Sequence, residues 1–182
     1  MKAALLLANG FEEIEALTPV DVLRRAGISV DMISIYDEPL VSGAHSILIT
    51  ADKTYSESIP GEYDLLILPG GMPGSLNLDK CEFTNTIIDS ILSKNGRIAA
   101  ICAAPLILGR RGILNGKRAV CYPGFESELI GATIDSCGVV TDGNITTARG
   151  MGVALEFAKE LVALLIDKST ADNISSAIME NN

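Results

Sequence analysis

Residues 98–108 read IAAICAAPLIL, and this stretch carries the strongest fold signal of the chain. The run RIAAI (97–101) is typical of a strand buried on both faces, and the run after Cys102 is typical of a helix. A cysteine in such surroundings is usually a small buried hydrophobe. At a sharp strand-to-helix turn, however, backbone N–H groups and the helix dipole favour its thiolate. We therefore expect a nucleophile at Cys102, with a pKa below the ordinary thiol value of about 8.5.

The neighbours of Cys102 support a sharp turn. The nucleophile elbow of hydrolases has glycines flanking its serine, so that the turn can be tight. Here the flanking residues are Ala100 and Ala104, which are small enough to meet the same steric demand. The pattern predicts a cysteine nucleophile elbow.

Three further apolar runs precede this one and alternate with helical patterns, the first of which ends near Arg25. Short connections between such strands and helices favour parallel βαβ pairs. The predicted fold class is α/β, a three-layer sandwich with a mostly parallel, flavodoxin-like sheet. The three runs are KAALLLA (2–8), ISVDMISI (28–35) and DLLILPGG (64–71).

The remaining segments add shorter elements. Residues 39–59 alternate like strands without a helical period, which predicts a hairpin outside the main sheet. RAVCYP (118–123) predicts a short strand, and SCGVVTDGNITTAR (136–149) predicts two strands around an Asp-Gly turn. Helices are predicted around residues 83–92 and, as the last element, from about Gly150 onward.

Length, composition and charge limit the class of protein. With 182 residues, 48% of them hydrophobic and 4% aromatic, the chain suits a single domain, residues 1–182, with an aliphatic core. A net charge of −9 disfavours nucleic acid as a stable partner, since that affinity depends on clustered Lys and Arg. No apolar run reaches the roughly 18 residues of a membrane span, and the start turns acidic where a signal peptide stays apolar. We expect a soluble, cytoplasmic protein without a membrane partner.

The other cysteines give no metal or disulfide pattern. Cys81, Cys121 and Cys137 show no close pairing of the kind that ligates zinc or exchanges dithiols. Because His45 is the one histidine of the chain, a zinc site would need unusual ligands. We predict no metal and no cofactor, and we expect these three thiols to be inert.

Two glycines and Cys102 fall at the carboxyl edge of the predicted sheet, where ligands of such folds bind. Gly70 and Gly71 end one strand, and Cys102 ends the next. A Gly-Gly pair is most simply a turn. Beside a nucleophile, glycine also lets a backbone N–H approach a substrate oxygen, so Gly71 and Ala103 are predicted to form an oxyanion hole.

The segment after the first strand is acidic. Glu12 and Glu13 are predicted to be solvated carboxylates in the first turn of a helix, where the dipole favours them. Glu15 lies on the side turned inward. If Glu15 meets Cys102, only its protonated form assists, because a carboxylate repels a thiolate whereas a carboxylic acid donates its O–H to the sulfur.

Four motifs stand in order along the chain: GFEEIEALTPVDVLRRAGI, LPGGMPGSLNL, GRIAAICAAPLIL and TTARGMG. Together they resemble the ThiJ/PfpI superfamily, in the branch of Parkinson-disease protein seven and its bacterial relatives. The resemblance implies a reactive, oxidation-prone cysteine at Cys102 and a protonated glutamate at Glu15. It also implies substrate-facing N–H groups at Gly71 and Ala103, and a homodimer with the first helix near its interface.

Two positions depart from that family pattern. Many members carry a histidine immediately before a proline after the strand that follows the nucleophile, but this chain has Tyr122 before Pro123. A histidine base is therefore missing there. His45 falls near a position where the human-like branch has an interface arginine, and we interpret it as an exposed histidine without a catalytic role.

Three functions follow from these residues and from the resemblance. The first is a cysteine-dependent enzyme that converts dicarbonyls, as a glutathione-independent glyoxalase turning methylglyoxal into lactate, or that removes early glycation adducts. The second is an oxidative-stress sensor or redox-regulated chaperone that uses the same cysteine. The third is an amidase or peptidase, which needs a histidine beside the cysteine. The predicted site residues are Cys102 and Glu15 as catalytic groups, with Gly70, Gly71, Ala103 and Tyr122 around the substrate.

Overall fold

A seven-stranded sheet forms the centre of the computed structural model, which describes residues 1–180. The strands are β1 (Lys2–Leu7), β2 (Ser29–Ser34), β3 (Leu40–Ser42), β4 (Leu48–Thr50), β5 (Lys53–Thr54), β6 (Leu65–Leu68), β7 (Arg97–Ile101), β8 (Arg118–Ala119), β9 (Thr133–Ile134), β10 (Val139–Asp142) and β11 (Ile145–Ala148). The central sheet has the order β10-β11-β7-β6-β1-β2-β5, and all of its pairs are parallel except β10 with β11.

Within the described residues, six α-helices cover the two faces of this sheet. They are α1 (Glu13–Arg25), α2 (Gly74–Lys80), α3 (Glu82–Ser93), α4 (Pro105–Arg110), α5 (Ala154–Leu165) and α6 (Lys168–Ala177). Leu5 and Ile67 belong to the core shared with α1, α5 and α6, whereas Leu6 and Leu66 belong to the core shared with α2, α3 and α4. Because the middle strands are covered on both sides, their sequences are continuous apolar runs. The predicted three-layer α/β sandwich is confirmed.

Several predicted elements differ from the observed ones. Helices α2 and α6 were not predicted, and the last helix predicted from Gly150 begins at Ala154 after a short 3-10 turn. The predicted strand 118–123 is limited to β8, which pairs with β9 outside the central sheet. Helix α6 is mostly polar and buries only Ala171 and Ile174, so its apolar signal is weak.

The hairpin predicted within residues 39–59 is present as β3 and β4, which form a separate antiparallel pair. Strand β5 of the same segment instead joins the edge of the central sheet beside β2. The hairpin rests on the loop after β1, since Gly10 N–H donates to Ser42 O at 2.8 Å and Ala44 N–H donates to Phe11 O at 2.8 Å. The hairpin therefore lies next to the start of α1.

Within residues 1–180, no helix has both the length and the apolar character needed to cross a lipid bilayer.

Candidate active site

Cys102 occupies a sharp turn at the carboxyl end of β7. Its φ is +65°, a left-handed conformation that costs a non-glycine residue on the order of 1–2 kcal/mol. Cys102 N–H donates to Ala148 O at 2.9 Å, and Tyr122 N–H donates to Cys102 O at 2.8 Å. These bonds to two neighbouring segments hold the strained backbone in place. The sharp turn predicted at Cys102 is present, with Ala100 and Ala104 fully buried beside it.

Glu15 reaches this turn from the first turn of α1, and only 1% of its surface is exposed. Gly70 N–H donates to Glu15 Oε2 at 3.0 Å, and Met151 N–H also hydrogen-bonds to the carboxylate. Burial raises the pKa of Glu15 from 4.5 to about 7, while its hydrogen bonds to Cys102, Gly70 and Met151 oppose that rise. The expected meeting of Glu15 with Cys102 is confirmed.

The pKa of Cys102 is raised from 9.0 to about 12. Burial is the largest cause, followed by the charge of Glu15 and its hydrogen bond to the thiol. The N–H groups of Gly71 and Ala103 lower this pKa because they donate to the sulfur, but they do not offset burial. The expected depressed pKa is therefore wrong in direction beside an ionised Glu15. Desolvation of the thiol outweighs the helix dipole. Helix α4, which follows the turn and would supply that dipole, is only six residues long.

Glu15 and Cys102 titrate as a coupled pair: ionised Glu15 raises the pKa of Cys102, whereas the hydrogen bond with the thiol lowers the pKa of Glu15. Between the pKa of about 7 and the pKa of about 12, the pair carries one negative charge and one proton. Two arrangements share this total charge: a carboxylate beside a thiol, and a carboxylic acid beside a thiolate. The second arrangement gives a nucleophile that already has a proton donor at hydrogen-bond distance.

The two glycines after β6 have different tasks. Gly70 N–H donates to Glu15 and so positions that carboxylate. The same N–H is therefore not free to bind a substrate oxygen, which was the role predicted for Gly70. A side chain at Gly70 would place its Cβ 2.4 Å from Glu15 Oε2 and 2.5 Å from Cys102 Cβ. Gly71 has φ +89°, a conformation that favours glycine, and its N–H faces the sulfur.

A cavity of about 430 Å³ adjoins the pair, and Tyr122 lies on its wall with 51% of its surface exposed. Gly150 lines the same cavity, where an added Cβ would lie 3.7 Å from Glu15 Oε1 and 3.8 Å from Cys102 Sγ. The cavity is therefore next to the reactive atoms. The lining residues are Tyr122, Pro123, Gly138, Arg149, Gly150, Met151, Gly152 and Val153.

The segment 149–153 was not predicted to be part of the site. Its signal was present as Arg-Gly-Met-Gly directly after a buried strand, in the parallel part of the sheet that also ends in Cys102. Glycine at such a strand end marks a close approach of backbone to another group. The contact of Met151 with Glu15 was missed because it is made by a backbone N–H, which the motif TTARGMG does not reveal.

Glu13, which precedes Glu15 in α1, hydrogen-bonds to His45 in the hairpin. Glu13 is 5% exposed, so the prediction of a solvated carboxylate is wrong for this residue. His45 N–H donates to Glu13 Oε1 at 2.8 Å, and His45 Nδ1 lies 3.0 Å from Glu13 Oε2. This contact raises the pKa of His45, which is exposed as predicted.

Glu12, Glu13 and His45 also place possible metal-ligand atoms within 4.8 Å of one another. Both oxygens of Glu13 are already engaged by His45, which accounts for the cluster as a contact between α1 and the hairpin. We assign no metal to it.

The other three thiols differ in burial. Cys121 is buried, and burial raises its pKa to about 11. Cys81 is half-buried at the junction of α2 and α3, and Cys137 is exposed. Asp135, through its hydrogen bond and its charge, raises the pKa of Cys137. All three are free cysteines.

Comparison with known proteins finds relatives that span nearly the whole chain. The model of the DJ-1/PfpI family matches residues 1–164. Protein dj-1beta of Drosophila melanogaster is 34% identical over 179 residues, which cover 97% of this chain and 96% of that protein. A Pyrococcus abyssi protein named as a deglycase is 32% identical over 168 residues, covering 91% of this chain and 99% of that protein.

Solved structures give the same result for the fold. The oxidised DJ-1 of Toxoplasma gondii superposes with a TM-score of 0.94 and is 32% identical. The superposition covers 100% of this chain and 99% of that one. The similarity therefore extends over both helical layers and the central sheet.

Proposed function

This chain belongs to the DJ-1/PfpI family, and we propose that it is a cysteine-dependent enzyme acting on small reactive dicarbonyls or on early glycation adducts. The observation that carries the proposal is the pairing of Cys102, in a strained turn, with the buried carboxyl of Glu15. Two N–H groups, from Gly71 and Ala103, face the same sulfur. The deglycase name of the Pyrococcus abyssi relative supports the same class of substrate.

The first step is addition of the Cys102 thiolate to the aldehyde carbon of methylglyoxal. This forms a carbon–sulfur bond and leaves the negative charge on the former carbonyl oxygen. The N–H groups of Gly71 and Ala103 are suited to stabilise that oxyanion, and protonated Glu15 supplies the proton that neutralises it. The product is a neutral hemithioacetal beside an ionised Glu15.

The second step is proton transfer between the two neighbouring carbons. Ionised Glu15 takes the C–H proton of the hemithioacetal to give an enediolate and returns it to the adjacent carbon. The hydroxyl proton of the former aldehyde passes to the neighbouring oxygen, and the adduct becomes a thioester of lactate. Water then cleaves the thioester and regenerates the thiol. The sum is methylglyoxal plus water giving lactate and a proton, without an external oxidant or reductant.

A glycation adduct enters the same scheme at a later point. An adduct of methylglyoxal with a Lys, Arg or Cys side chain already holds the former aldehyde carbon at the oxidation level of a hemiacetal. Cys102 displaces the amine or thiol and forms the same hemithioacetal, after which the steps are identical. One site therefore serves both the glyoxalase and the deglycase reaction.

Oxidation of Cys102 is the second candidate function, supported by the Toxoplasma gondii relative that was solved in an oxidised form. A peroxide transfers one oxygen to the thiolate and leaves as water or alcohol, and a second peroxide gives the sulfinate. Glu15 in its protonated form is placed to donate a hydrogen bond to that sulfinate. The amidase or peptidase alternative has no such support, because His45 contacts Glu13.

Steady-state turnover of methylglyoxal tests the proposal. We expect lactate formation by the wild-type protein and its loss in Cys102→Ala and in Glu15→Ala, because one removes the nucleophile and the other the proton carrier. Cys81→Ala is the matched control, since this thiol is also half-buried but lies outside the site. Activity that survives in Cys102→Ala would contradict the proposal. No activity in any variant, with peroxide-dependent modification of Cys102, would favour the sensor.

Tyr122→His tests whether the missing histidine limits the reaction. A positioned general base contributes about 10²-fold or more, so a large gain would assign the proton transfer to this position. We expect only a modest change, because Glu15 already contacts the sulfur. The measurement is kcat and kcat/KM for methylglyoxal at neutral pH.

A further inference from the structure

Among the described residues 1–180, Arg149 is the one charged residue that lines the cavity beside Cys102. The cavity wall is otherwise formed by apolar and small residues, including the half-exposed side chains of Tyr122 and Met151. At about 430 Å³, the cavity falls in the range that holds ligands considerably larger than a three-carbon dicarbonyl. The cavity beside Cys102 thus has one cationic residue in its lining.

The guanidinium of Arg149 has no partner within residues 1–180. The chain contains seven arginines, and the other six each donate a side-chain hydrogen bond to a carboxylate or to a backbone carbonyl. With the part of the chain that the structure describes, Arg149 makes neither an ion pair nor a side-chain hydrogen bond, and this residue is exposed. Glu156 lies close to Gly138 on the cavity wall, but it forms no ion pair with Arg149. The five donors of this guanidinium are therefore available to a ligand.

We propose that Arg149 binds an anionic group of the substrate while Cys102 reacts with its carbonyl. The substrate class is then a 2-oxoaldehyde, or an adduct of one, that carries a carboxylate or phosphate a few bonds from the reacting carbon. Guanidinium binds both of these groups through paired hydrogen bonds. In a chain with a net charge of −9, the overall field repels anions, so their capture needs a local cation. This inference rests on the proposed function for the reaction itself.

Turnover of two matched substrates tests the charge preference. 4,5-Dioxopentanoate is a 2-oxoaldehyde with a carboxylate, and its methyl ester has the same carbon skeleton without the charge. We expect wild-type kcat/KM to favour the acid, and we expect the acid-to-ester ratio to fall about tenfold or more in Arg149→Gln, mainly through KM. This magnitude is that of one hydrogen bond to a charged group. Arg149→Lys should recover part of the ratio.

Arg25→Gln is the matched control for the loss of one positive charge. Arg25 lies in the last turn of α1, at the opposite end of that helix from Glu15. The acid-to-ester ratio of kcat/KM in the Arg25→Gln variant should stay at the wild-type value. An equal ratio in wild type and Arg149→Gln would overturn the inference.

Alkylation of Cys102 tests the same inference without turnover. Iodoacetate and iodoacetamide have nearly equal size, and each transfers its carbon to the thiolate with loss of iodide, but only iodoacetate is an anion. We expect the iodoacetate-to-iodoacetamide rate ratio, measured on the Cys102 peptide by mass spectrometry, to fall several-fold in Arg149→Gln and not in Arg25→Gln. A fall in this ratio without dicarbonyl turnover would sustain anion binding and remove the proposed function. An unchanged ratio would refute anion binding whatever the activity.

Discussion

The buried carboxyl of Glu15 makes the free energy of unfolding depend on pH. Its pKa is raised from 4.5 to about 7 by burial, so the folded protein holds a proton that the unfolded chain releases. The stabilisation is complete below the unfolded pKa and is lost as the pH rises through about 7. The shift corresponds to a destabilisation on the order of 3 kcal/mol at higher pH.

We therefore expect Glu15→Gln to stabilise the protein increasingly as the pH rises from about 5 to about 8, by several degrees in Tm. Thermal unfolding followed by circular dichroism across this range measures the difference from wild type. Glu82→Gln, in the exposed first turn of α3, is the control for the loss of a carboxylate outside the site. A difference for Glu15→Gln that stays constant across this pH range would contradict the raised pKa.

The sharp turn at Cys102 was predictable from the sequence, because it depends on a strand end, which apolar patterns define well. The meeting of Glu15 with Cys102 was a conditional expectation, which the family resemblance supported. Glu13 was wrongly predicted to be solvated, and the pKa of Cys102 is raised rather than lowered beside an ionised Glu15, because both depend on segments distant in sequence that remove water from the group. Gly70 was assigned to the substrate because sequence cannot reveal that its N–H is already used by Glu15.

The loop after β6 is an element in which space is limiting. An alanine at Gly70 would bring its Cβ within 2.5 Å of both Glu15 and Cys102, so one of these side chains must move. We expect Gly70→Ala to slow alkylation of Cys102 by iodoacetamide and to lower Tm. Gly61→Ala is the control, because an added Cβ there meets nothing within 4 Å. Wild-type behaviour of Gly70→Ala in both measurements would show that the loop does not constrain the pair.

Elements in the sheet and in α3 were predictable because long apolar runs and helical periodicity act locally. Helix α2 has seven residues and begins directly after a Gly-Gly-Met-Pro turn, so its start was hidden by turn residues. Helix α6 was missed because polar residues dominate it. Local sequence patterns also could not predict that part of residues 39–59 returns to the central sheet. Strand β5 does so by pairing with β2, which is a tertiary contact.

At the scale of the molecule, the hairpin presents an apolar surface formed by Leu40, Ile47 and Leu48, each more than half exposed. Ile14 of α1 is also exposed. Such a surface is suited to burial against a second copy of the chain, in agreement with the resemblance-based expectation of a homodimer with α1 near its interface. The hairpin also contacts its own domain, through Glu13 and the loop after β1.

We expect light scattering at micromolar concentration to give twice the chain mass of 19.2 kDa for the wild-type protein. Leu48→Glu should shift the mass towards that of one chain, because it places a charge in the apolar surface. Ile134→Glu is the control, since Ile134 is exposed in the β8–β9 pair rather than in the hairpin. A wild-type monomer would refute the dimer.

The assignment of residues 1–182 to one domain stays a prediction. Both apolar cores include side chains of the same central strands, so separation of the two helical layers would expose the sheet. One cooperative unfolding transition is the corresponding expectation.

We propose that Cys102 and Glu15 share one proton, so that a fraction of the protein holds a thiolate beside a carboxylic acid near neutral pH. The rate of Cys102 alkylation by iodoacetamide, followed from about pH 5 to about pH 10, tests it most directly, because only the thiolate reacts. We expect the rate to rise through the pair's first pKa of about 7 and then to reach a plateau. A rate without a step near 7 that keeps rising towards the second pKa of about 12 would contradict it.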